Sequence, residues 1–320
     1  MIRREKRSFR DVSPAPAIRI DTETGEAGVR KKRDRALIVD TVISFPALIG
    51  YTVFFFAPVV LGIWYSMTNW NGISRDYDFI GLQNYARLLN DARFLRVIGF
   101  TLRYTALMVA GTLLIALLTA MVLNAKPLGW QFCKAVYFLP CLFSLITTGL
   151  LFKEIYSKAL PLLGQAAGSA LFSKSLLSSS KYAIYAVAAV NLWGSVPIPT
   201  VLFFAALKNV PGDLYEVADI DGGSSWQKFR NITLPYILPT VGMVFITSLK
   251  GGLATYEYIT VLTSGGPGRA TESLAYLIFQ KGFAENQYSY ASAMSFVMFL
   301  FMVVISGAYL AATRRKEVSV

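Results

Sequence analysis

Histidine is absent from this chain of 320 residues, and cysteine occurs only at Cys133 and Cys141. Without histidine the chain lacks the commonest general base and the commonest metal ligand, so histidine-dependent catalysis is excluded. The two cysteines lie in one apolar stretch, where buried thiols are expected rather than a disulfide or a metal site. A phosphate-binding loop of the G-x-x-x-x-G-K-S/T type is also missing. These absences predict a chain that is not an enzyme and binds no cofactor or metal.

Charged residues are scarce too, at 16% of the chain, whereas hydrophobic residues make up 54% and the mean hydropathy is +0.48. Soluble globular domains rarely reach that balance, so the composition indicates an all-α integral membrane protein. A membrane helix needs about 20 mostly apolar residues. Six segments meet that condition, and these predicted spans lie at about 37–67, 97–124, 132–152, 182–207, 236–263 and 291–313.

The distribution of positive charge predicts which ends of the spans face the cytosol. The net charge is +12, but Lys and Arg are concentrated at segment ends rather than on one face of a soluble domain, which argues against nucleic acid as a partner. Outside the spans, 19 Lys and Arg lie on the side of the N-terminus and 11 on the other side. Positive residues favour the cytosolic side, so both termini and the loop at 208–235 are predicted to be cytosolic.

The two ends of the chain are predicted to be tails outside the membrane domain. Residues 1–35 contain 11 Lys or Arg and little apolar content, which is typical of a disordered cytosolic tail with an anchor at the lipid surface. Residues 36–315 are predicted to form the transmembrane domain, and 316–320 a short second tail. The sequence therefore predicts one membrane domain rather than several folded domains.

The polar loop at 208–235 has the pattern of a helical hairpin. Asp213, followed three residues later by Glu216, is typical of a helix N-cap. Gly222 is expected to end that helix, because glycine readily adopts the left-handed conformation. A second capping box and the end of a second short helix are predicted at Ser224, Gln227 and Pro235. Two short helices joined by a glycine corner predict a rigid unit that can transmit a movement.

This loop resembles the EAA loop of ABC-type importer permeases. It carries Glu216-Val217-Ala218, then Gly222, then Ile232-Thr233-Leu234-Pro235 at that family's spacing. Valine at position 217, where the family usually has alanine, is the one departure. The strings at 79–85 and 262–267 are similar to segments of sugar-importing permeases of the maltose and glycerol-phosphate group. The resemblance extends over nearly the whole chain from about Phe45.

The resemblance implies a type I ABC importer permease fold with six transmembrane helices in a bacterial or archaeal cell membrane. It implies as partners a second permease subunit, two ATP-binding subunits that hold ATP and magnesium, an extracellular solute-binding protein, and membrane lipid. It also implies that the 208–235 loop docks on an ATPase, and Glu216 is expected to form an ion pair there. The docking residues are predicted to be Glu216, Val217, Ala218, Asp219, Asp221, Gly222, Ser224, Leu234 and Pro235.

Two of the predicted spans contain polar and helix-breaking residues, which are tolerated in membranes mainly beside protein or a cavity. In the fifth, Lys250 and Glu257 lie seven residues apart and are expected on one helical face. The corresponding stretches of maltose-type permeases line the sugar site, although this chain departs from that family at Ile198 and Gly252. The resemblance implies lining by Asn191, Gly194, Ser195, Ile198, Gly251, Gly252, Thr255, Tyr256 and Glu257.

The solute and the energy source leave alternatives open. A sugar or oligosaccharide is the main prediction for the solute, and a glycerol phosphate ester is the alternative. An ion-coupled secondary transporter would use Glu257 as its ion site. A membrane-embedded transferase would use Asp219 and Asp221, but side chains two residues apart on a helix point in different directions.

Overall fold

The computed structural model describes residues 44–125 and 129–313. Within these ranges the regular elements are helices, and one isolated antiparallel bridge joins Thr68 to Phe79. The chain divides into two units, one that ends at Val60 and one that begins at Leu61. The predicted tails at 1–35 and 316–320 lie outside the described residues.

Among the described residues, four helices are long and apolar enough to cross a membrane. They are α1 (Ser44–Ser66), α3 (Ala92–Asn124), α9 (Ser225–Leu253) and α12 (Tyr288–Thr313). Two bent pairs bring the number to six if each pair is one span. The first pair joins Ala135–Leu142 to α5 (Leu145–Ala166), and the second joins α6 (Ala183–Ser195) to α7 (Pro197–Lys208). The shorter helices are α2 (Gln83–Asn90), α4 (Trp130–Phe138), α8 (Gly212–Ile220), α10 (Glu257–Leu262) and α11 (Leu274–Phe279).

In the first unit, the described residues belong to α1 and none of them is buried. A π-helical turn occupies Thr52–Phe56. The rings of Tyr51 and Phe55 stack with their centroids 4.8 Å apart. A surface of exposed apolar side chains suits contact with lipid, which is as apolar as these side chains.

The predicted third span at 132–152 is not one helix. A 3₁₀ turn at Leu139–Leu142 follows α4, and Phe143 is extended, so the chain bends by 104° before α5. Pro140 lies at the start of that turn and has no N–H to continue the helix before it. Cys141 in this turn is exposed, which corrects the prediction of a buried thiol, whereas the side chain of Cys133 is outside the described part.

The fourth span is broken in the middle, as its prolines predict. Helix α6 ends at Ser195 and α7 begins at Pro197, with a bend of 50° between them. Proline occupies the first turn of α7, where a backbone N–H has no partner within the helix. The missing N–H of proline therefore costs no hydrogen bond there. The break places the polar end of α6 beside the start of α7.

The fifth predicted span at 236–263 is also interrupted. Helix α9 ends at Leu253, and the chain is not helical again until Glu257 begins α10. The freed carbonyl of Thr255 accepts a hydrogen bond of 2.6 Å from the Ser273 hydroxyl, which satisfies a backbone group that would be costly to leave unpaired. The prediction that Lys250 and Glu257 share one helical face is therefore wrong, because no continuous helix joins them.

Helix α3 passes through the whole core of the second unit. Its side chains join three clusters, which are marked by the buried residues Tyr104, Leu277 and Phe203. The first cluster packs α3 on α6 and α10, the second on α11 and α12, and the third on α7 and α9. Since lipid gives little hydrophobic driving force between helices, close packing stabilises these contacts.

An ion-pair network holds Glu272, just before α11, and the segment between α11 and α12 against the start of α3. Arg93 contacts the buried carboxylate of Glu272 at 2.5 Å and that of Glu285 at 3.1 Å. Lys281 donates to Glu285 at 2.6 Å. This hydrogen bond from Lys281 is the main reason that the pKa of Glu285 is lowered.

Asp91 caps α3 and adds a second link to α12. Its carboxylate accepts hydrogen bonds from the backbone N–H groups of Arg93 and Phe94 and from the Tyr290 hydroxyl at 2.7 Å. Burial alone raises the pKa of Asp91, but the hydrogen bonds outweigh burial, so that its pKa is lowered. The charged form of Asp91 is therefore the one that the fold stabilises.

Candidate functional site

The first helix of the 208–235 loop, α8, begins one residue earlier than the predicted cap. The extended residue before the helix is Pro211, and no side chain caps the helix start. Asp213 lies inside the first turn, so the prediction that it is the N-cap is wrong. A carboxylate in the first turn still stabilises the helix through the helix dipole.

The glycine corner of the loop is confirmed. Gly222 has a φ of +72°, the left-handed conformation in which a side chain is strained. The N–H of Gly223 donates to the carbonyl of Ala218 at 2.8 Å, and that of Gly222 donates to Asp219 at 3.1 Å. These two bonds form a Schellman motif, which ends α8 and turns the chain sharply.

The second capping box is confirmed as well. The Ser224 hydroxyl accepts from the N–H of Gln227, and the Gln227 side chain accepts from the N–H of Ser224. The predicted helix end at Pro235 is wrong, because α9 continues from Ser225 to Leu253. A π-helical turn at Phe229–Thr233 precedes the proline, and its wider spacing accommodates a residue that has no N–H to donate.

Side-chain contacts tie the two arms of the hairpin together. Lys228 on α9 forms an ion pair with Asp219 on α8. The hydroxyl groups of Tyr215 and Thr233 form a hydrogen bond of 2.7 Å. With contacts on both sides of the glycine corner, α8 and the start of α9 form one unit.

This unit presents apolar side chains beside acidic ones. Val217, Ile220 and Trp226 are 57%, 86% and 66% exposed, and Glu216 is exposed beside them. Large apolar groups that are exposed next to charges are typical of a surface that binds a protein. Ile220 and Trp226 were not among the predicted docking residues, although the sequence shows them as apolar residues within a polar loop.

The structure brings most of the predicted docking residues together. Glu216, Val217, Asp219, Asp221, Gly222 and Ser224 are exposed, and Ala218 is partly exposed. Leu234 and Pro235 are partly buried in α9, where Leu234 packs against the core cluster around Phe203. The exposed surface is therefore centred on α8 and the glycine corner.

A cavity of about 290 Å³ lies between α3, the break of the fourth span, and α9. Four of the predicted lining residues surround it: Asn191, Ser195, Ile198 and Gly251. The prediction missed six others, which are Met108, Thr112, Pro199, Leu202, Thr247 and Ser248. None of the described residues that line this cavity is charged.

The other five predicted lining residues lie elsewhere. Gly194 and Gly252 make close packing contacts, because a Cβ atom would lie 2.9 Å from the Tyr258 hydroxyl and 2.8 Å from Thr105, respectively. Thr255 is buried, Tyr256 packs on the ring of Tyr276, and Glu257 is exposed in the first turn of α10. Helix α9 ends at Leu253, so Thr255, Tyr256 and Glu257 do not continue it along the cavity wall.

The cavity offers neutral hydrogen-bonding groups. The Asn191 amide donates to the Tyr104 hydroxyl at 2.8 Å, which fixes the orientation of the amide. The Ser195 hydroxyl is buried and has no partner within the described chain. The Thr247 hydroxyl donates to carbonyl groups of its own helix. A ligand with hydroxyl groups could satisfy these groups, because a hydroxyl both donates and accepts.

Within residues 44–125 and 129–313, no cluster of three or more metal-ligating side chains is present. Asp219 is paired with Lys228, and Asp221 lies exposed at the end of α8. The candidate site therefore consists of an exposed loop with apolar and acidic side chains and a neutral cavity, which α9 connects.

Comparison with known proteins identifies the family. Residues 36–318 match the family model described as "binding-protein-dependent transport system inner membrane component". The multiple sugar-binding transport system permease protein MsmF of Streptococcus mutans is 38% identical over 271 residues, which are 85% of this chain and 93% of the relative. The diacetylchitobiose uptake system permease protein NgcF of Streptomyces coelicolor is 32% identical, over 86% of this chain and 83% of the relative.

A solved structure has the same fold. A chain of a bacterial ABC transporter involved in the import of the acidic polysaccharide alginate superimposes with a TM-score of 0.74 at 20% identity. The match covers 90% of this chain and 98% of that one. The predicted all-α permease fold is therefore confirmed.

The family match also decides what kind of molecule this is. Its members are membrane components of transporters and not enzymes, which confirms that prediction. Several apolar helices agree with a multi-pass membrane protein. The chain belongs to the family of binding-protein-dependent transport system inner membrane components, the permease subunits of ABC importers.

Proposed function

We propose that this permease moves a neutral sugar or oligosaccharide across the membrane. The observation that carries the proposal is the cavity between α3, α7 and α9, which offers amide and hydroxyl groups but no charge. A sugar presents the matching hydroxyl groups and has no charge to be neutralised. The names of MsmF, NgcF and the arabinooligosaccharide permease AraP of Bacillus subtilis support this solute class.

A phosphate ester is the alternative solute. A permease named for sn-glycerol 3-phosphate, UgpA of Salmonella, is 28% identical to this chain. A phosphate in a membrane cavity requires Arg, Lys or helix N-terminal amides to offset its charge. No arginine or lysine is among the residues that line the cavity, so the neutral solute is favoured.

The 208–235 loop is, in this proposal, the docking site for an ATP-binding subunit. Both chain termini and this loop face the cytosol of a bacterial or archaeal cell, where two ATP-binding subunits hold ATP and magnesium. A second permease subunit completes the membrane pathway, and an extracellular binding protein delivers the solute. The exposed Val217 and Ile220 supply apolar contact, and Glu216 supplies a negative charge for an ion pair.

The continuity of α9 connects ATP hydrolysis to the cavity. The helix begins inside the loop at Ser225 and carries Thr247 and Gly251 along the cavity wall. Closure of the ATP-binding subunits would displace the loop, and α9 would carry that displacement to the cavity. The cavity would thus open alternately to the two sides of the membrane.

A charge reversal tests the docking assignment. Glu216→Lys is expected to abolish ATP-dependent uptake and to prevent co-purification of the ATP-binding subunit, while the permease itself still folds. Asp76→Lys, an equal reversal at an exposed residue outside the loop, is the control and should retain co-purification. Normal co-purification and uptake by Glu216→Lys would show that the docking assignment is wrong.

A solute panel tests the cargo. The complete importer in proteoliposomes should take up at least one of maltose, N,N′-diacetylchitobiose or arabinotriose, and not glycerol 3-phosphate. Uptake should require ATP and be indifferent to an uncoupler. Uptake that an uncoupler abolishes, and that persists without the ATPase, would instead indicate an ion-coupled transporter.

A further inference from the structure

A second polar cavity, of about 370 Å³, lies beside the start of α3. Asp91 and Tyr290 connect α3 and α12 there, whereas the 208–235 loop lies near the other end of α3, where a separate cavity includes Asn124 and Tyr215. Since α3 has 33 residues, the two ends are about 50 Å apart. The polar cavity therefore lies at the membrane face opposite the loop.

The lining is rich in amide side chains. Six of them surround the cavity, and these are Asn69, Asn71, Gln83, Asn84, Asn286 and Gln287. Trp70 and Tyr290 add aromatic surface. Among the described residues, Arg87 is the one charged residue in the lining, and no carboxylate is present there. The volume of the cavity falls within the range of about 300–1,000 Å³ that small-molecule sites have.

The walls of this cavity are held rigidly in place. Asn84 is only 7% exposed, and its amide donates to the carbonyl groups of Ser66 and Thr68 at 2.8 and 2.9 Å. The N–H of Ser289 donates to the carbonyl of Trp70 at 3.0 Å. These bonds join the end of α1 and the segment after it to α2 and to the start of α12. The backbone around the cavity and the Asn84 side chain are thus positioned before any ligand arrives, which lowers the entropic cost of binding.

Several of the polar groups remain available to a ligand. Within the described chain, the side chains of Gln83 and Asn286 lie in the lining without an intramolecular hydrogen bond. Asn286 has a φ of +51°, a conformation that asparagine tolerates better than most residues. Each amide both donates and accepts, as a sugar hydroxyl does. Gln83 begins α2 and Asn286 lies shortly before α12, so two separate segments each offer a sugar hydroxyl group a free amide.

The arginine in the lining is compatible with a neutral ligand. The guanidinium of Arg87 stacks 4.2 Å above the ring of Tyr290, and it donates to the Gln287 side chain at 3.1 Å. Both contacts fix the group, while its other N–H donors stay available. One arginine that is already stacked on an aromatic ring suits a neutral hydroxyl or a ring oxygen as well as an anion.

We propose that this cavity is a saccharide subsite, large enough for one or two sugar rings, on the extracellular face of the permease. It shares no lining residue with the membrane cavity, so it is a separate site. The ligand class and the orientation rest on the proposed function. The subsite would hold the sugar near the entrance during its transfer from the binding protein.

Titration of the complete importer in nanodiscs, without the binding protein, tests the subsite. The probes are maltose and N,N′-diacetylchitobiose, with glucuronate as the anionic comparison. At least one neutral probe should bind saturably, and the double variant Gln83→Ala with Asn286→Gly should raise its Kd at least tenfold. Glycine keeps the backbone conformation at position 286. Asn90→Ala, which removes an exposed amide of α2 outside the cavity, should leave the Kd unchanged.

Three results would overturn the subsite. The first is that no sugar binds up to about 100 mM, a concentration at which even a site of millimolar affinity would be saturated. The second is an unchanged Kd in the double variant, and the third is that glucuronate binds tenfold more tightly than either neutral sugar. In a separate assay, the double variant could keep its Kd for sugar while the loaded binding protein no longer stimulates its transport. That result would assign the cavity to a segment of the binding protein instead.

A separate uptake measurement distinguishes the two proposals. Failure of the wild-type importer to take up any sugar would contradict the proposed function. Normal sugar uptake together with an unchanged Kd would overturn the subsite alone.

Discussion

The contact between Gly252 and Thr105 gives a sharp test of how α9 packs on α3. A methyl group at position 252 would lie 2.8 Å from Cα of Thr105 and 2.9 Å from its Cγ2 and Oγ1. Ordinary contact begins near 3.4 Å, so the helices would have to separate by about 0.6 Å, which already removes a sizeable part of the dispersion energy. Overpacking of this kind typically costs about 1–3 kcal/mol.

Gly251 is the matched control. A Cβ atom there would meet nothing within 4 Å, although the residue belongs to the same turn of the same helix. Both Gly→Ala changes add helix propensity, up to about 1 kcal/mol each. That gain cancels in the comparison, so Gly252→Ala should be less stable than Gly251→Ala by about 1–3 kcal/mol.

Thermal unfolding of the two variants in nanodiscs measures this difference. Since about 2–4 °C corresponds to 1 kcal/mol in domains of moderate size, the apparent Tm values should differ by about 2–12 °C, with Gly252→Ala lower. Equal Tm values, or a more stable Gly252→Ala, would refute the inferred close contact with the backbone of Thr105. A wild-type sample of the same preparation sets the reference for both.

Three further predictions concern the ion pairs and the loop. Glu272→Gln removes the buried carboxylate partner of Arg93, which then keeps only the partner Glu285, and should cost about 2 kcal/mol. Glu154→Gln, in an exposed pair, should leave Tm almost unchanged, and equal losses of Tm would contradict this. Ser224→Ala removes a cap worth about 1 kcal/mol and should speed hydrogen exchange at residues 224–228, and unchanged exchange would count against the cap. The pKa values of Asp91 and Glu285 are lowered, so their charged forms stabilise the fold above their ordinary pKa values, near 4. Tm should therefore be level from pH 8 to 5 and fall below about pH 4. A Tm that rises below pH 4 would show that the charged forms do not stabilise the fold.

The sequence predicts the 208–235 loop well because that loop depends on local interactions. The left-handed Gly222 and the capping box at Ser224 each involve residues within a few positions of one another. Their geometry follows from backbone chemistry that tertiary contacts do not override. The cap at Asp213 was wrong because Pro211 already supplies the extended residue before α8.

The membrane cavity was harder to predict because tertiary contacts form it. Asn191 meets Tyr104 across 87 positions of sequence, and composition alone gives no sign of such a pairing. The end of α9 at Leu253 depends on Ser273, which binds the freed carbonyl of Thr255. A helix assumed to continue through this region places Thr255 and its neighbours in the wrong positions.

The unbroken course of α9 has a mechanical consequence. The helix contains 29 residues and is therefore about 43 Å long, whereas Ser248 lies only about 7 Å from its Leu253 end. If the helix tilts about that end, where Gly252 touches α3, a rotation of about 5° moves Ser225 by nearly 4 Å but Ser248 by less than 1 Å. A large displacement at the membrane surface therefore becomes a small displacement with a larger force at the cavity. The close contact of Gly252 with α3 would be the pivot of this rotation. A looser contact would let the helix shift at the pivot, so that less of the displacement would reach the cavity.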